Sequence, residues 1–183
     1  GHGSAIAQAY NHMIMPLAKR RDKRTQVLWG IEDFRKRFKR TPEGMWLPET
    51  AVDTKTLEEL AYHGIKFTLL SPRQAKRTIR IGENEVWHDV DGERVDPTMA
   101  YICNLPSGRA ISIFFYNGPI AQEISFGKLL KNGEGFAKRL LSAFNDVNNH
   151  PQMVHIATDG ETFGHHHRFG DMALSYCLNY IES

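Results

Sequence analysis

The sequence predicts an α/β fold built on parallel strands, and three observations carry that expectation. Met45–Pro48, Leu57–His63 and Ile65–Leu70 read as strand, helix and strand, a succession that favours parallel pairing across a helical crossover. Two strings, Gly44-Met45-Trp46-Leu47-Pro48-Glu49 and Ala157-Thr158-Asp159-Gly160-Glu161-Thr162-Phe163-Gly164-His165-His166-His167, each put a carboxylate where a buried strand should stop and a loop begin. Open and barrel-like α/β folds collect their catalytic groups at that position. Finally, 183 residues with 41% apolar and 24% charged content suffice for one compact domain with a real core.

The elements follow in order. Ala5–Leu17 is small and apolar around Tyr10-Asn11-His12 and reads as a loop or short helix leading to Pro16. Asp22–Lys39 is an amphipathic helix, with Val27, Ile31, Phe34 and Phe38 at helical spacing and basic residues on the other face. Thr41-Pro42-Glu43-Gly44 breaks it. Asp53 or Thr54 caps the Leu57–His63 helix, which ends at Gly64. Ile79–Ile81 and Val86–His88 flank Gly82-Glu83-Asn84 as a hairpin, and Tyr101–Leu105 and Ala110–Tyr116 flank Pro106-Ser107-Gly108 as a second. Residues 78–118 are therefore a candidate β-rich insertion or a set of extra strands beside the main sheet. Phe136–Phe144 is helical, with Phe136, Leu140, Leu141 and Phe144 on one face; Met153–Ala157 reads as a strand and Met172–Ile181 as a final helix.

Composition narrows the partners. Net charge is +2, which points to no nucleic acid, and no run approaches the ~20 apolar residues of a membrane span. The basic runs Lys19–Arg24 and Arg35–Arg40 read as a solvated helix face, with a phosphate-binding patch as the sharper alternative. Cys103 and Cys177 form no CxxC pair, which fits a reducing, cytoplasmic setting better than a disulfide framework. The chain opens at Gly1-His2-Gly3-Ser4 directly into an apolar stretch, so it reads as part of a longer protein.

Two carboxylates far apart in sequence, Glu49 and Asp159, suggest an acid and a nucleophile or base meeting across one pocket, as in glycoside hydrolysis. Trp46, close to Glu49, suits a sugar site because pyranose C–H faces stack on indole; it also suits a core. Asp159 and Glu161 share a turn that Gly160 permits, followed at once by His165, His166 and His167. That cluster reads as a surface turn or, less simply, as a transition-metal site. His2, Asn11 and His12 are polar groups in an apolar stretch, read either as hydroxyl-recognition groups or as caps and core histidines.

Gly1-His2-Gly3 with Ala9-Tyr10-Asn11-His12, then Gly-Met-Trp-Leu-Pro-Glu at 44–49, then Asp-Gly-Glu-Thr-Phe-Gly-His-His at 159–166, together resemble glycoside hydrolase family 57, most closely an amylase-like branch. The family contains α-amylases, 4-α-glucanotransferases and glycogen branching enzymes. The resemblance implies a partial, distorted seven-stranded (β/α) barrel with a β-hairpin insertion, formed by 1–183 as a single catalytic-domain fragment. It also implies that the first barrel strand and the C-terminal helical region lie elsewhere in the parent chain, whose segments would complete the barrel. It makes Glu49 the nucleophile and Asp159 the acid/base of a retaining mechanism that needs no cofactor and no metal. His2, Trp46, Glu161 and His165 would contact sugar or hold the carboxylates, and Asn11, His12 and His166 join them as candidate substrate contacts. Asn117 stands where related sequences tend to carry an acidic residue.

The substrate so implied is an α-glucan or oligosaccharide, cleaved or transferred by double displacement. Asp159 must hold a proton in the resting site, which calls for burial and neighbouring carboxylates. A retaining pair has its carboxyl groups about 5–5.5 Å apart. His165 or His166 is expected to face the pocket and His167 solvent or the following helix. Two other readings compete: a metal-dependent polysaccharide deacetylase using Asp159 and the histidines as ligands, and a non-catalytic carbohydrate-binding fragment.

Overall fold

The computed structural model describes residues 3–82, 86–145 and 150–183. In chain order its elements are β1 (Ala7–Gln8), α1 (Arg20–Phe38), β2 (Met45–Trp46), α2 (Thr54–Tyr62), β3 (Phe67–Leu70), β4 (Arg77–Thr78), β5 (His88–Asp89), β6 (Ala100–Asn104), β7 (Ala110–Phe115), α3 (Gly118–Ser125), α4 (Gly133–Leu141) and α5 (Gly170–Glu182). They fall into two compact units. Unit 1 is Gly1–Leu70 with Ala100–Phe114, and unit 2 is Ser71–Met99 with Phe115–Ser183.

Unit 1 is a β-α-β-α-β succession with a hairpin added. β1 and β2 pair in parallel, Ala7 opposite Met45 and Gln8 opposite Trp46. A parallel bridge between Gly44 and Phe67 brings β3 alongside, and the buried Thr68 hydroxyl donates to the Met45 carbonyl at 2.8 Å. Gly44 has no substitute here, because an added Cβ would overlap the Phe67 ring. β7 lies between β3 and β6, and β6 runs antiparallel to it with Tyr101 opposite Ile113. Ile111 and Ile113 alternate inward, as a half-buried strand requires. The hairpin expected over 101–116 is thus present and shares a sheet with β3.

α1 buries Val27, Ile31 and Phe34 as its periodicity predicts. Phe38 instead stays half exposed and stacks on Phe34 at 4.7 Å, because the helix ends at the left-handed Lys39. Gly30 lets α1 meet β1, since any Cβ there would collide with the Gln8 carbonyl. The two basic runs are extensively paired with acids: Arg20 with Glu59, Lys23 with Asp53, Arg35 with Glu32, Arg37 with Asp33 and Arg40 with Glu43.

Unit 2 is a three-helix cluster with a small hairpin. Ile120, Ile124, Leu130, Phe136, Ala137 and Cys177 form its core from α3, α4 and α5. Phe136 is the buried member of the predicted α4 face, whereas Leu141 and Phe144 are exposed. The first expected hairpin exists but pairs at its base, Arg77 with Asp89 and Thr78 with His88, rather than through Ile79–Ile81. Its strands are two residues long and partly exposed, so no buried face fixes a longer register. Glu83 and Asn84 of its expected turn lie outside the described residues.

Two expectations fail locally. Met153–Ala157 is not a strand: Met153 N–H donates to the Thr98 carbonyl and the His155 carbonyl accepts from Asn117 N–H, so its bonds go to two segments and build no ladder. The Ala5–Leu17 stretch contains strand β1 as well as the short turn Met15–Leu17. The sheets have two and three strands and none closes on itself, so the architecture established is a mixed α/β fold without a closed barrel among the described residues. No described helix is long and apolar enough to cross a membrane.

Candidate active site

Unit 1 brings His12 against Glu49 and places Asn11 and Trp46 on the segments that carry them. β1 and β2 run side by side, so the segments leaving them, 9–12 and 47–50, emerge on the same end of the pair. The Ala9 N–H donates to the Trp46 carbonyl at 3.2 Å and continues the pairing past β1. The buried Gln26 side chain of α1 then accepts from the Asn11 N–H at 2.6 Å, and its carbonyl from Tyr10 N–H, so the loop is fixed by its backbone and the Asn11 side chain faces solvent. His12 follows, and its Nε2 lies 3.0 Å from Glu49 Oε1. Both side chains are open, 71% and 69% exposed, so this contact holds geometry more than it stabilises the fold. Trp46 is half buried on β2 between the buried Met45 and Leu47.

The backbone under Glu49 is strained. After Pro48 the chain makes a short 3-10 turn, and Glu49 and Thr50 both take the left-handed conformation, at φ 56° and 51°. A non-glycine residue seldom adopts it and a β-branched residue such as Thr50 more rarely still, at a cost of about 1–3 kcal/mol each. Such strain gathers where a side chain must be aimed.

The turn is anchored a few residues on. Asp53 caps α2 by accepting from the Thr56 N–H at 2.8 Å, and both its oxygens lie 2.7 Å from Lys23 Nζ. Lys23 is buried and also reaches Thr56 Oγ1 at 3.1 Å. Burial by itself would raise the Asp53 pKa; the bonds from Lys23 and Thr56 outweigh it and hold the carboxyl below its ordinary range.

In unit 2 Asp159 caps the 3-10 turn Gly160–Thr162 through its carbonyl, which accepts from Thr162 N–H at 3.1 Å. Its side chain is exposed, as is that of Glu161, so unit 2 does not itself bury the proposed proton donor as the chemistry was expected to require. The turn is held from beneath: Thr158 Oγ1 lies 3.0 Å from both Ser125 Oγ and the buried Thr162 Oγ1. The Glu161 carbonyl accepts from the N–H groups of His165 and His166, whose exposed rings sit 5.0 Å apart. His167 turns inward instead of toward solvent or α5. Its Nε2 bonds to the Ser125 carbonyl at 2.9 Å, satisfying an acceptor at the end of α3. Among the described residues no three His, Cys, Asp or Glu side chains are placed to hold a metal ion. His2 lies outside the described residues.

Sequence reasoning missed a cavity of about 300 Å³ in unit 2, lined by Arg73, Glu93, Tyr116, Gln122, Ser125 and Ala157 among others. Arg73 and Glu93 form an ion pair across it. Ser71 and Tyr116 follow β3 and β7 directly, and Ala157 precedes Thr158-Asp159. Residues immediately after predicted strands were the available signal. Asn117 is accounted for as the cap of α3, its side chain accepting from Ile120 N–H at 3.0 Å. Burial pushes the nearby His155 below the ordinary histidine pKa.

In unit 1 a carboxylate, and in unit 2 a polar cavity, stand at residues that follow strands, and each has the form of an enzyme-like site. The family model of glycosyl hydrolase family 57 matches residues 1–182, and the chain belongs to that family. Solved structures agree in fold. A GH57-type branching enzyme from Pyrococcus horikoshii is 19% identical, with TM-score 0.74 over 97% of this chain and 42% of its own. An exo-type maltose-forming amylase from Pyrococcus sp. ST04 is 17% identical, with TM-score 0.71 over 97% of this chain and 28% of its own. The 4-alpha-glucanotransferase of Thermococcus litoralis is 15% identical, with TM-score 0.64 over 96% and 25%. This chain therefore spans less than half the length of each of these structures. No curated protein matches it.

Proposed function

We propose that the chain carries the catalytic groups of a retaining enzyme acting on α-glucan. The observation that carries the reading is Glu49 at a strand end, on strained backbone, bonded to His12, in a chain of this family. Glu49 attacks the anomeric carbon as the bond to the leaving glycosyl oxygen breaks, and Asp159 gives that oxygen its proton. Water or a sugar hydroxyl then attacks the same carbon, Asp159 takes its proton, and Glu49 departs. Trp46 stacks on a sugar face, His12 orients Glu49, and Asn11, Glu161, His165 and His166 bond hydroxyls, as does His2. The unit 2 cavity, with Arg73 and Glu93, suits a glucosyl ring. Parallel β1 and β2 with the β3 bridge are read as part of the family's distorted seven-stranded barrel, and 1–183 as part of one catalytic domain. The relatives in solved structures that branch, hydrolyse or transfer α-glucan support the substrate class.

The test is a pair of variants in the full-length protein. Glu49→Ala is expected to abolish turnover, with azide restoring part of it as an inverted product. Asp159→Ala is expected to keep activity on activated aryl glycosides and lose it on natural glucan. Equal loss on every substrate, with azide rescuing neither, would overturn the assignment.

A further inference from the structure

We infer that Tyr10 and Trp29 form a second carbohydrate-binding surface on unit 1, which holds an α-glucan chain outside the reacting site. The inference rests on the proposed function for its ligand class. Both rings are large and open, 49% and 54% exposed, yet they are held against each other at 5.3 Å in an edge-to-face pair. They line an open cavity of about 730 Å³ with Glu32, Asp33, Arg35 and Lys36. That volume lies in the range of small-molecule sites, about 300–1,000 Å³.

The chemistry of the lining selects the ligand. Two acidic and two basic residues leave the rim with no net charge, so neither an anion nor a cation is favoured. Glu32 and Asp33 are locked by Arg35 and Arg37 at 2.7 Å each, which fixes charged donors and acceptors beside an aromatic face. A neutral ligand with apolar C–H faces and many hydroxyls fits both features, and a glucose polymer is such a ligand. The surface is also linked to the candidate site through one loop. Tyr10 is two residues from His12, which bonds Glu49, and the intervening Asn11 is tied to α1 three residues before Trp29.

Oxidative footprinting of the full-length protein on ice, with glycogen or with dextran at equal glucose concentration as the scavenging control, tests this without any variant. Glycogen is expected to protect Trp46 and Trp29, and dextran neither. Protection of Trp46 without Trp29 would leave the proposed function standing and overturn this inference. Protection of neither would overturn both, and equal protection by dextran would show scavenging alone and overturn the inference too. Trp29→Ala is expected to weaken glycogen binding about tenfold by affinity electrophoresis while Trp29→Phe, which keeps a ring face, retains most of it. Unchanged glycogen affinity in a folded Trp29→Ala protein would refute the site.

Discussion

Glu49 lies within, and Asp159 caps, a short 3-10 turn that follows an extended segment, yet their backbones are held in different ways. In unit 1 the turn puts Glu49 and Thr50 in the left-handed region, and the Glu49 side chain hydrogen-bonds the His12 ring. In unit 2 Asp159 has an ordinary extended backbone, φ −67° and ψ 144°, and a hydroxyl relay through Thr158 supports the turn beneath it. The difference matches the proposed roles. A nucleophile must meet one carbon at one angle, so strain spent on aiming it is returned in the reaction. An acid/base passes a proton to two successive partners, and a relaxed turn accommodates both.

The sharpest way to break the comparison is to relax one side. Glu49→Gly removes the carboxylate and the strain together. Turnover on glucan is expected to fall by at least about 10³-fold, while the unfolding midpoint rises, because glycine adopts the left-handed region freely. A midpoint that falls would show that the φ of Glu49 carries no strain. Thr50→Gly separates the two effects: it keeps Glu49 and is expected to stabilise by about 1 kcal/mol in urea melts, with turnover reduced through looser aim.

Asp53→Ala tests the anchor below the Glu49 turn. It leaves the buried Lys23 ammonium without its partner and strips the cap from α2. Breaking a buried pair costs about 3–5 kcal/mol, and the one-third exposure of Asp53 reduces this to about 2–3 kcal/mol. Lys23→Met with Asp53→Ala is expected to recover most of the loss. If the single variant melts like the parent, the salt bridge does not hold the motif.

How far the site was legible follows from the same contrast. Glu49, Trp46 and the Asp53 cap were readable because proline, glycine and cap residues punctuate the sequence next to them. His12 was readable as a polar residue out of place, but its bond to Glu49 was not, since it depends on β1, a two-residue strand with no periodicity to reveal it. The buried Lys23 hid inside a basic run that reads as a surface. Asp159 was legible as a motif, whereas the burial expected around it does not exist in unit 2. The inward turn of His167 depends on a carbonyl of α3, a helix signalled by Asn117-Gly118-Pro119 alone. Predicted strand 153–157 failed because a mostly apolar run, four residues and His155, in an extended path looks like a ladder whether or not a partner strand lies alongside.

The smallest expected effect is a pH dependence of stability. Burial lowers the pKa of His155 in unit 2; it also lowers that of His63 in unit 1, where the neighbouring Glu59 pulls the other way without winning. A histidine with a depressed folded pKa binds its proton less readily folded than unfolded. The unfolded chain therefore takes up more protons once the pH drops below about 6.5, so this stability is complete above that pH and is lost as the pH falls through it. Asp53, also depressed, follows the same sign at lower pH, with its contribution present above about 3.9 and lost below. Urea melts are expected to show one decline near pH 6, by linkage to the two histidines, and a second below pH 4, by linkage to Asp53. His155→Gln should reduce the first decline and leave the second, and Asp53→Asn should do the reverse. A first decline untouched by either His155→Gln or His63→Gln would mean that neither ring is held neutral by its surroundings.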